Sequence, residues 1–186
     1  MTTLLLARHG ATEWNRLQRM QGRSDIDLSE CGRADAAALA PLIASWRPQT
    51  LIVSPLKRAA STAALLSDLS PIVDDAWIEH GLGQWEGSTP DVIGSDYARW
   101  RAGHVIPPGG EPVDEIRDRV TGAVRRAAAH PGPVLVVTHG GTIRAVLDRF
   151  VGLAAGRIDA VAAPSLTVID VVDADAARLQ RFNLTA

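Results

Sequence analysis

The chain has 186 residues, 46% of them hydrophobic and 22% charged; this composition excludes disorder, collagen and coiled coil, and the length fits one domain. Its 19 basic and 21 acidic residues leave a formal net charge of -2, which argues against a dedicated nucleic-acid binder but not against a local pocket for a small anion. Apolar runs such as Leu4–Ala7 and Val134–Val137 fall far short of the roughly 18 residues of a membrane span.

Thr3–Ala7 reads as a buried strand, followed at once by Arg8-His9-Gly10. Ser29 has the chemistry of an N-cap for an alanine-rich helix from about Glu30 to Trp46. Pro41 is expected to kink or break its second half. Thr50–Val53 is the next apolar strand. Ser54-Pro55 then reads as a cap with proline at the first helical position, opening a helix to about Ser67. Residues 70–111 are rich in glycine and proline, and one short helix is predicted near Asp91–Arg101. Val113, Ile116, Val120 and Val124 recur at helical steps until His130-Pro131-Gly132-Pro133 stops them. Val134–Val137 is a third buried strand, followed by Gly140-Gly141 and a helix carrying Ile143, Val146, Leu147 and Phe150. Leu166–Val172 and Leu179–Leu184 close the chain as strands.

Apolar strands alternating with amphipathic helices predict an α/β fold, a single three-layer α/β/α domain over residues 1–186 with a mainly parallel sheet. The last strands have no helix between them and are free to run antiparallel. Cys31 is the single cysteine; it excludes an internal disulfide and a thiol metal cluster, and it reads as a packed thiol. The N-terminus lacks the basic start and long apolar core of a signal peptide, so a cytoplasmic protein is expected.

Three strands end in polar clusters: Arg8-His9-Gly10, Ser54-Pro55-Leu56-Lys57-Arg58 and Thr138-His139-Gly140-Gly141. In an open α/β sheet the carboxyl ends of the strands form the ligand crevice. Arg8, His9, Arg58 and His139 are therefore expected to converge. Guanidiniums hold phosphate through paired hydrogen bonds. An imidazole between them stays unprotonated and is a competent nucleophile. Glycines and a helix N-terminus beside it favour an anion. Phosphoryl transfer also needs an acid for the leaving oxygen. The loop Trp77-Ile78-Glu79-His80-Gly81-Leu82-Gly83-Gln84-Trp85-Glu86-Gly87 supplies two carboxyls, Glu79 and Glu86. His80 and His104 read as surface or loop residues, and His130 as a helix-end cation. Trp85 and Trp100 divide evenly between pocket wall and packing. Arg99 and Arg101 divide between a substrate carboxylate and a solvated helix face.

The motifs resemble those of the histidine phosphatase superfamily, in its phosphoglycerate-mutase-like branch. They are Arg8-His9-Gly10-Ala11-Thr12-Glu13-Trp14-Asn15 with Gln21-Gly22, Ser54-Pro55-Leu56-Lys57-Arg58-Ala59, Glu79 with Gly83-Gln84-Trp85-Glu86-Gly87, Pro108-Gly109-Gly110-Glu111, and Val137-Thr138-His139-Gly140-Gly141. The resemblance implies that His9 takes the phosphoryl group, that Arg8, Arg58 and His139 hold its oxygens, and that Glu79 is the acid and then the base. It implies further contacts from Asn15, Gln21, Gly22 and Gly140, a substrate cap at about residues 77–111, and no metal or organic cofactor. Two departures stand out: Ala11, where the family often has glutamate or glutamine, and Pro112, where serine is common.

The implied activity is a metal-independent phosphomonoesterase acting on a small phosphorylated metabolite, with no nucleic-acid or membrane partner. The alternatives are a cofactor-dependent phosphoglycerate mutase or an α-ribazole phosphate phosphatase. Mutases carry an insert bearing lysine and arginine after the acid, and residues 88–111 contain no lysine. The Arg19-Met20-Gln21-Gly22 stretch resembles that of family members acting on glucosyl-3-phosphoglycerate. No His-Glu-x-x-His supports a metallohydrolase. A non-catalytic binder would have no need of Glu79. The resemblance and an apolar edge near Val161–Val172 are compatible with a homodimer.

Overall fold

The computed structural model describes residues 1–154 and 157–186. Its strands are β1 (Thr2–Arg8), β2 (Thr50–Val53), β3 (Pro71–Val73), β4 (Val134–Thr138), β5 (Ser165–Val171) and β6 (Ala177–Leu184). The helices are α1 (Glu13–Arg16), α2 (Glu30–Ser45), α3 (Lys57–Leu66), α4 (Pro90–Ile93), α5 (Ser95–Arg101), α6 (Val113–Ala128) and α7 (Gly140–Val151). One sheet runs in the order β3-β2-β4-β1-β5-β6. The pairings from β3 to β1 are parallel, and β5 and β6 add antiparallel. This is the α/β/α architecture with a mainly parallel sheet and an antiparallel end.

Successive strand side chains point to opposite faces, and the two faces carry two cores. Leu4, Leu6, Ile52, Val134, Val136 and Ile169 pack with Ile116, Val120 and Val124 of α6 and Ile143 and Leu147 of α7. Leu5, Ala7, Leu51, Val53, Leu135 and Val137 pack with Leu39 and Ile43 of α2 and Ala59 and Ala63 of α3. Each fully buried Leu, Ile or Val contributes about 1.5–3 kcal/mol. The central strands are apolar on both faces because both faces are covered. Among the described residues no helix is long and apolar enough to cross a membrane.

Several local expectations change. Ser29 does cap α2, its hydroxyl accepting the Gly32 N–H at 3.1 Å. However, α2 continues through Pro41 as one helix. Ser54 is not the cap of α3. That helix starts at Lys57, its N-cap Leu56 makes no side-chain cap bond, and the Ser54 hydroxyl is engaged across the sheet. The helix expected near Asp91–Arg101 comes as two, α4 and α5, divided by Gly94 at φ +72. β3 lacks a buried face that sequence patterning could register, because all three of its residues are exposed at the sheet edge. Cys31 is exposed rather than packed.

Candidate active site

The site follows from strand register. Arg8 pairs with Thr138 and Val53 with Val137 at the carboxyl ends of the strands. The ladder continues one step: the His9 N–H donates to the Thr138 carbonyl and the Ser54 N–H to the Val137 carbonyl, both at 3.0 Å. Because β4 lies between β2 and β1, the residue after it, His139, has Ser54 on one side and His9 on the other. The His9 and His139 ring centroids are 5.1 Å apart. Ser54 Oγ lies 2.7 Å from His139 Nε2.

His9 is buried, and its Nδ1–H donates to the Gly10 carbonyl at 2.7 Å. Its lone pair therefore sits on Nε2, where Arg58 Nε–H donates at 3.2 Å. Burial, and then the charges of Arg8 and Arg58, hold the His9 pKa well below that of an ordinary imidazole, against the opposing Gly10 bond. Burial does the same to His139, helped by His9, Arg58 and Arg8. Both rings are thus uncharged at neutral pH. Arg58 projects from α3 fully buried, its two Nη groups donating to the Ser24 and Gly22 carbonyls at 2.7 Å. Arg8 Nη1 donates to the Val161 carbonyl, while its Nε is buried with no partner among the described residues. Gly140 brings the start of α7 against Arg8, where a Cβ would lie 3.3 Å from the guanidinium.

The two candidate acids have different surroundings. Glu79 reaches the N-terminus of α7, accepting the Gly141 N–H at 3.1 Å and the Thr142 N–H at 3.0 Å. It also lines the cavity. Glu86 ties two loops together, accepting from Arg23 N–H, Leu82 N–H and the Ser24 hydroxyl. Behind Glu79, Arg119 of α6 forms a two-pronged pair with Glu111, both bonds at 2.9 Å. Its Nη1 also donates to the Ala76 and Ile78 carbonyls. That clamp fixes the segment entering Glu79.

A cavity of about 770 Å3 opens over these groups. Arg8, His9, Asn15, Gln21, Gly22, Glu79 and Gly140 line it, and Arg58 and His139 lie buried beside His9. The Asn15 carbonyl is taken by Thr12 as part of the α1 capping box, so the amide nitrogen is what remains for a ligand. Gln21 Oε1 and His139 Nδ1 are buried without partners among the described residues. The cap contributes Tyr97, Trp100 and Arg101 from α5, together with His80, which sequence reasoning had set aside as loop. Trp85 packs edge-on against Trp100 and is not part of the lining, and Arg99 pairs with Asp96. Sequence reasoning missed Ser54, Arg119 and Arg144. The signal for Ser54 was its place at a strand end, the same as that of His9 and His139. Arg144 lies one helical turn beyond Gly140. Among the described residues no group of three His, Cys, Asp or Glu gathers that could hold a metal ion.

The profile of the histidine phosphatase superfamily (branch 1) matches residues 4–185. The chain is 36% identical over 172 residues to a glucosyl-3-phosphoglycerate phosphatase of Mycolicibacterium vanbaalenii, covering 81% of this chain and 74% of the relative. It is 35% identical over 164 residues to a metal-independent phosphoserine phosphatase of Arabidopsis thaliana, covering 80% and 68%. A mycobacterial glucosyl-3-phosphoglycerate phosphatase solved with VO3 superposes with a TM-score of 0.90 at 30% identity over the full length of both chains.

Proposed function

Since the chain belongs to the histidine phosphatase superfamily, we propose that it is a phosphomonoesterase hydrolysing a small phosphate ester through a phosphohistidine on His9, with Glu79 as acid and then base. The observation that carries the reading is the state of His9: proton fixed on Nδ1, lone pair on Nε2, charge suppressed by burial beside two guanidiniums. An imidazole so held is a nucleophile at neutral pH.

The phosphate dianion finds its match in Arg8 and Arg58. The open Arg8 Nε–H, the Asn15 amide and the Gly140 N–H add donors. In this reading Ser54 donates to His139 Nε2, which puts the ring proton on Nδ1, the nitrogen without a partner among the described residues and the one available to a phosphate oxygen. His9 Nε2 bonds to phosphorus as the ester P–O bond breaks, and the Glu79 proton goes to the leaving oxygen. Once the alcohol departs, the Glu79 carboxylate takes a proton from water. The water oxygen attacks phosphorus, the P–N bond breaks, and its electron pair returns to Nε2. Inorganic phosphate leaves with Glu79 protonated for the next cycle. Glu86 does not compete for this work, because its carboxylate is bonded to the loops it joins and does not line the cavity.

The cavity suits an ester with a leaving group of several carbons, within the usual range of about 300–1,000 Å3 for small-molecule sites. The glucosyl-3-phosphoglycerate and phosphoserine of the relatives' names are the first substrates to assay. The test is release of inorganic phosphate from an aryl phosphate, with EDTA present, by wild type and His9→Ala. Turnover that survives EDTA and drops at least about a thousandfold in the variant, together with an acid-labile phosphoryl label trapped only on wild type, would support the reading. Loss with EDTA alone would return the histidines to a metal and overturn it.

A further inference from the structure

The direction in which Arg8 points is set from outside the strands that carry the histidines. Its Nη1 donates to the Val161 carbonyl, while its buried Nε–H has no partner among the described residues. Val161 lies in the stretch 160–164, which is neither helix nor strand and leads into β5. A carbonyl on such a stretch has no ladder to hold it, so its neighbours must be fixed by other groups. A side chain of β6 does this. Asn183 Oδ1 accepts the Ala162 N–H at 2.7 Å, and Asn183 Nδ2 donates to the Ala160 carbonyl at 3.3 Å. One amide thus grips the residues on both sides of Val161, much as a neighbouring strand would. The Ser165 hydroxyl donates to the Ala162 carbonyl at 2.8 Å and ties the stretch to the start of β5.

The backbone of Asn183 is shaped for this grip. It sits at φ +58, a left-handed conformation that is strained for any residue but glycine and that asparagine tolerates best. The strand bulges there: between Leu166 and Val168 of β5 the partners on β6 run from Leu184 to Arg181, three steps against two. The Asn183 N–H leaves the ladder and donates to the Thr167 hydroxyl at 3.3 Å. Bulges re-aim side chains and gather beside active sites. This one aims the Asn183 amide at the stretch that carries Val161.

The tether matters because Arg8 has a rival for the anion. The charge of Glu79 acts on Arg8, and both groups line the cavity. An Arg8 released from Val161 is free to close on Glu79, which would take a donor from the phosphate and hold the acid in its ionised form. We propose that Asn183 is a positioning residue of the phosphate site: its amide fixes the Val161 carbonyl, the carbonyl fixes Arg8, and Arg8 presents its unpartnered Nε–H to the anion. The assignment rests on the hydrolase reading and adds to it a residue that does not itself line the cavity.

The test is a double-mutant cycle on the binding of inorganic phosphate, read from the rise in melting temperature with phosphate concentration. Asn183→Gly removes the amide and suits the left-handed backbone. It should weaken phosphate binding about 10- to 100-fold, the range of a lost charged hydrogen bond. Asn183→Asp keeps the acceptor for Ala162 but not the donor to Ala160, and should fall in between. In an Arg8→Gln background, Asn183→Gly should change the affinity by less than about threefold, because the tether then has nothing to hold. A purely structural asparagine would weaken binding equally in both backgrounds. Equal losses, or no loss in Asn183→Gly, overturn the positioning role and leave the hydrolase reading standing. If Asn183→Gly does not fold, the same cycle with Asn183→Asp decides, a loss of about threefold or more being expected only where Arg8 is present. Coupling to Arg8 without aryl phosphate turnover by wild type overturns the hydrolase reading alone. No phosphate binding by wild type overturns both.

Discussion

His9 and His139 stay uncharged because water cannot reach them and the charges beside them are positive. This ties stability to pH. Their pKa values in the folded chain lie below the roughly 6.5 of the unfolded chain. As pH falls the unfolded chain therefore binds protons first. The effect is absent above about pH 7 and grows below about 6.5, by at most about 1.4 kcal/mol per pH unit for each ring. Urea midpoints at pH 7.5 and 5.5 should fall further for wild type than for His139→Gln; equal falls would remove His139 from this account. The two glutamates separate in a different way. Glu79→Gln should cut turnover about 10²- to 10⁴-fold, more for alkyl than aryl esters, because a poor leaving group needs the proton. Glu86→Gln should instead cost about 1–3 kcal/mol of stability by leaving loop donors unpaired. Kinetics and thermal unfolding of the two variants, measured side by side, check both.

At the scale of elements, the helix over 30–45 and the strand before Arg8 were legible because their signals are local: a capping serine, and apolar residues at a fixed period. Ser54 was misread for an instructive reason. Ser-Pro is a sound start signal for a helix, but the hydroxyl is used on His139, a partner 85 residues away that only the finished sheet supplies. Arg144 was equally hidden, since nothing in its helical spacing separates it from a solvated arginine. The meeting of His9, His139 and Arg58 was legible because the crevice is fixed by where strands end. The docking of α2 on the His9 loop was not. Gly32 meets the backbone of Ala11 so closely that a Cβ would lie 2.7 Å from both its carbonyl carbon and its nitrogen. Gly32→Ala should raise helix propensity yet destabilise the protein by about 1–3 kcal/mol or more, because the backbone it strikes cannot rotate away. Thermal melts would show this, and turnover should fall with the shifted loop. A variant at least as stable as wild type would contradict the contact.

Across the whole molecule, a chain of net charge -2 concentrates Arg8, Arg58, Arg101 and Arg144 about one crevice, so overall charge says little about the ligand it prefers. The crevice exists only because β4, from late in the chain, sits between β1 and β2 from its first third. Leu4 cannot find Val134 until most of the chain has been made and gathered, and such distant pairings form slowly. The proposed phosphate cradle is therefore a report of completed assembly: a half-folded chain has no place for the anion, because His139 arrives with the strand that closes the sheet. An anion bound there should slow unfolding while leaving the rate of refolding as it was. Stopped-flow measurements with and without inorganic phosphate would show it, and faster refolding with phosphate would mean that the cradle forms before the last central strand is seated.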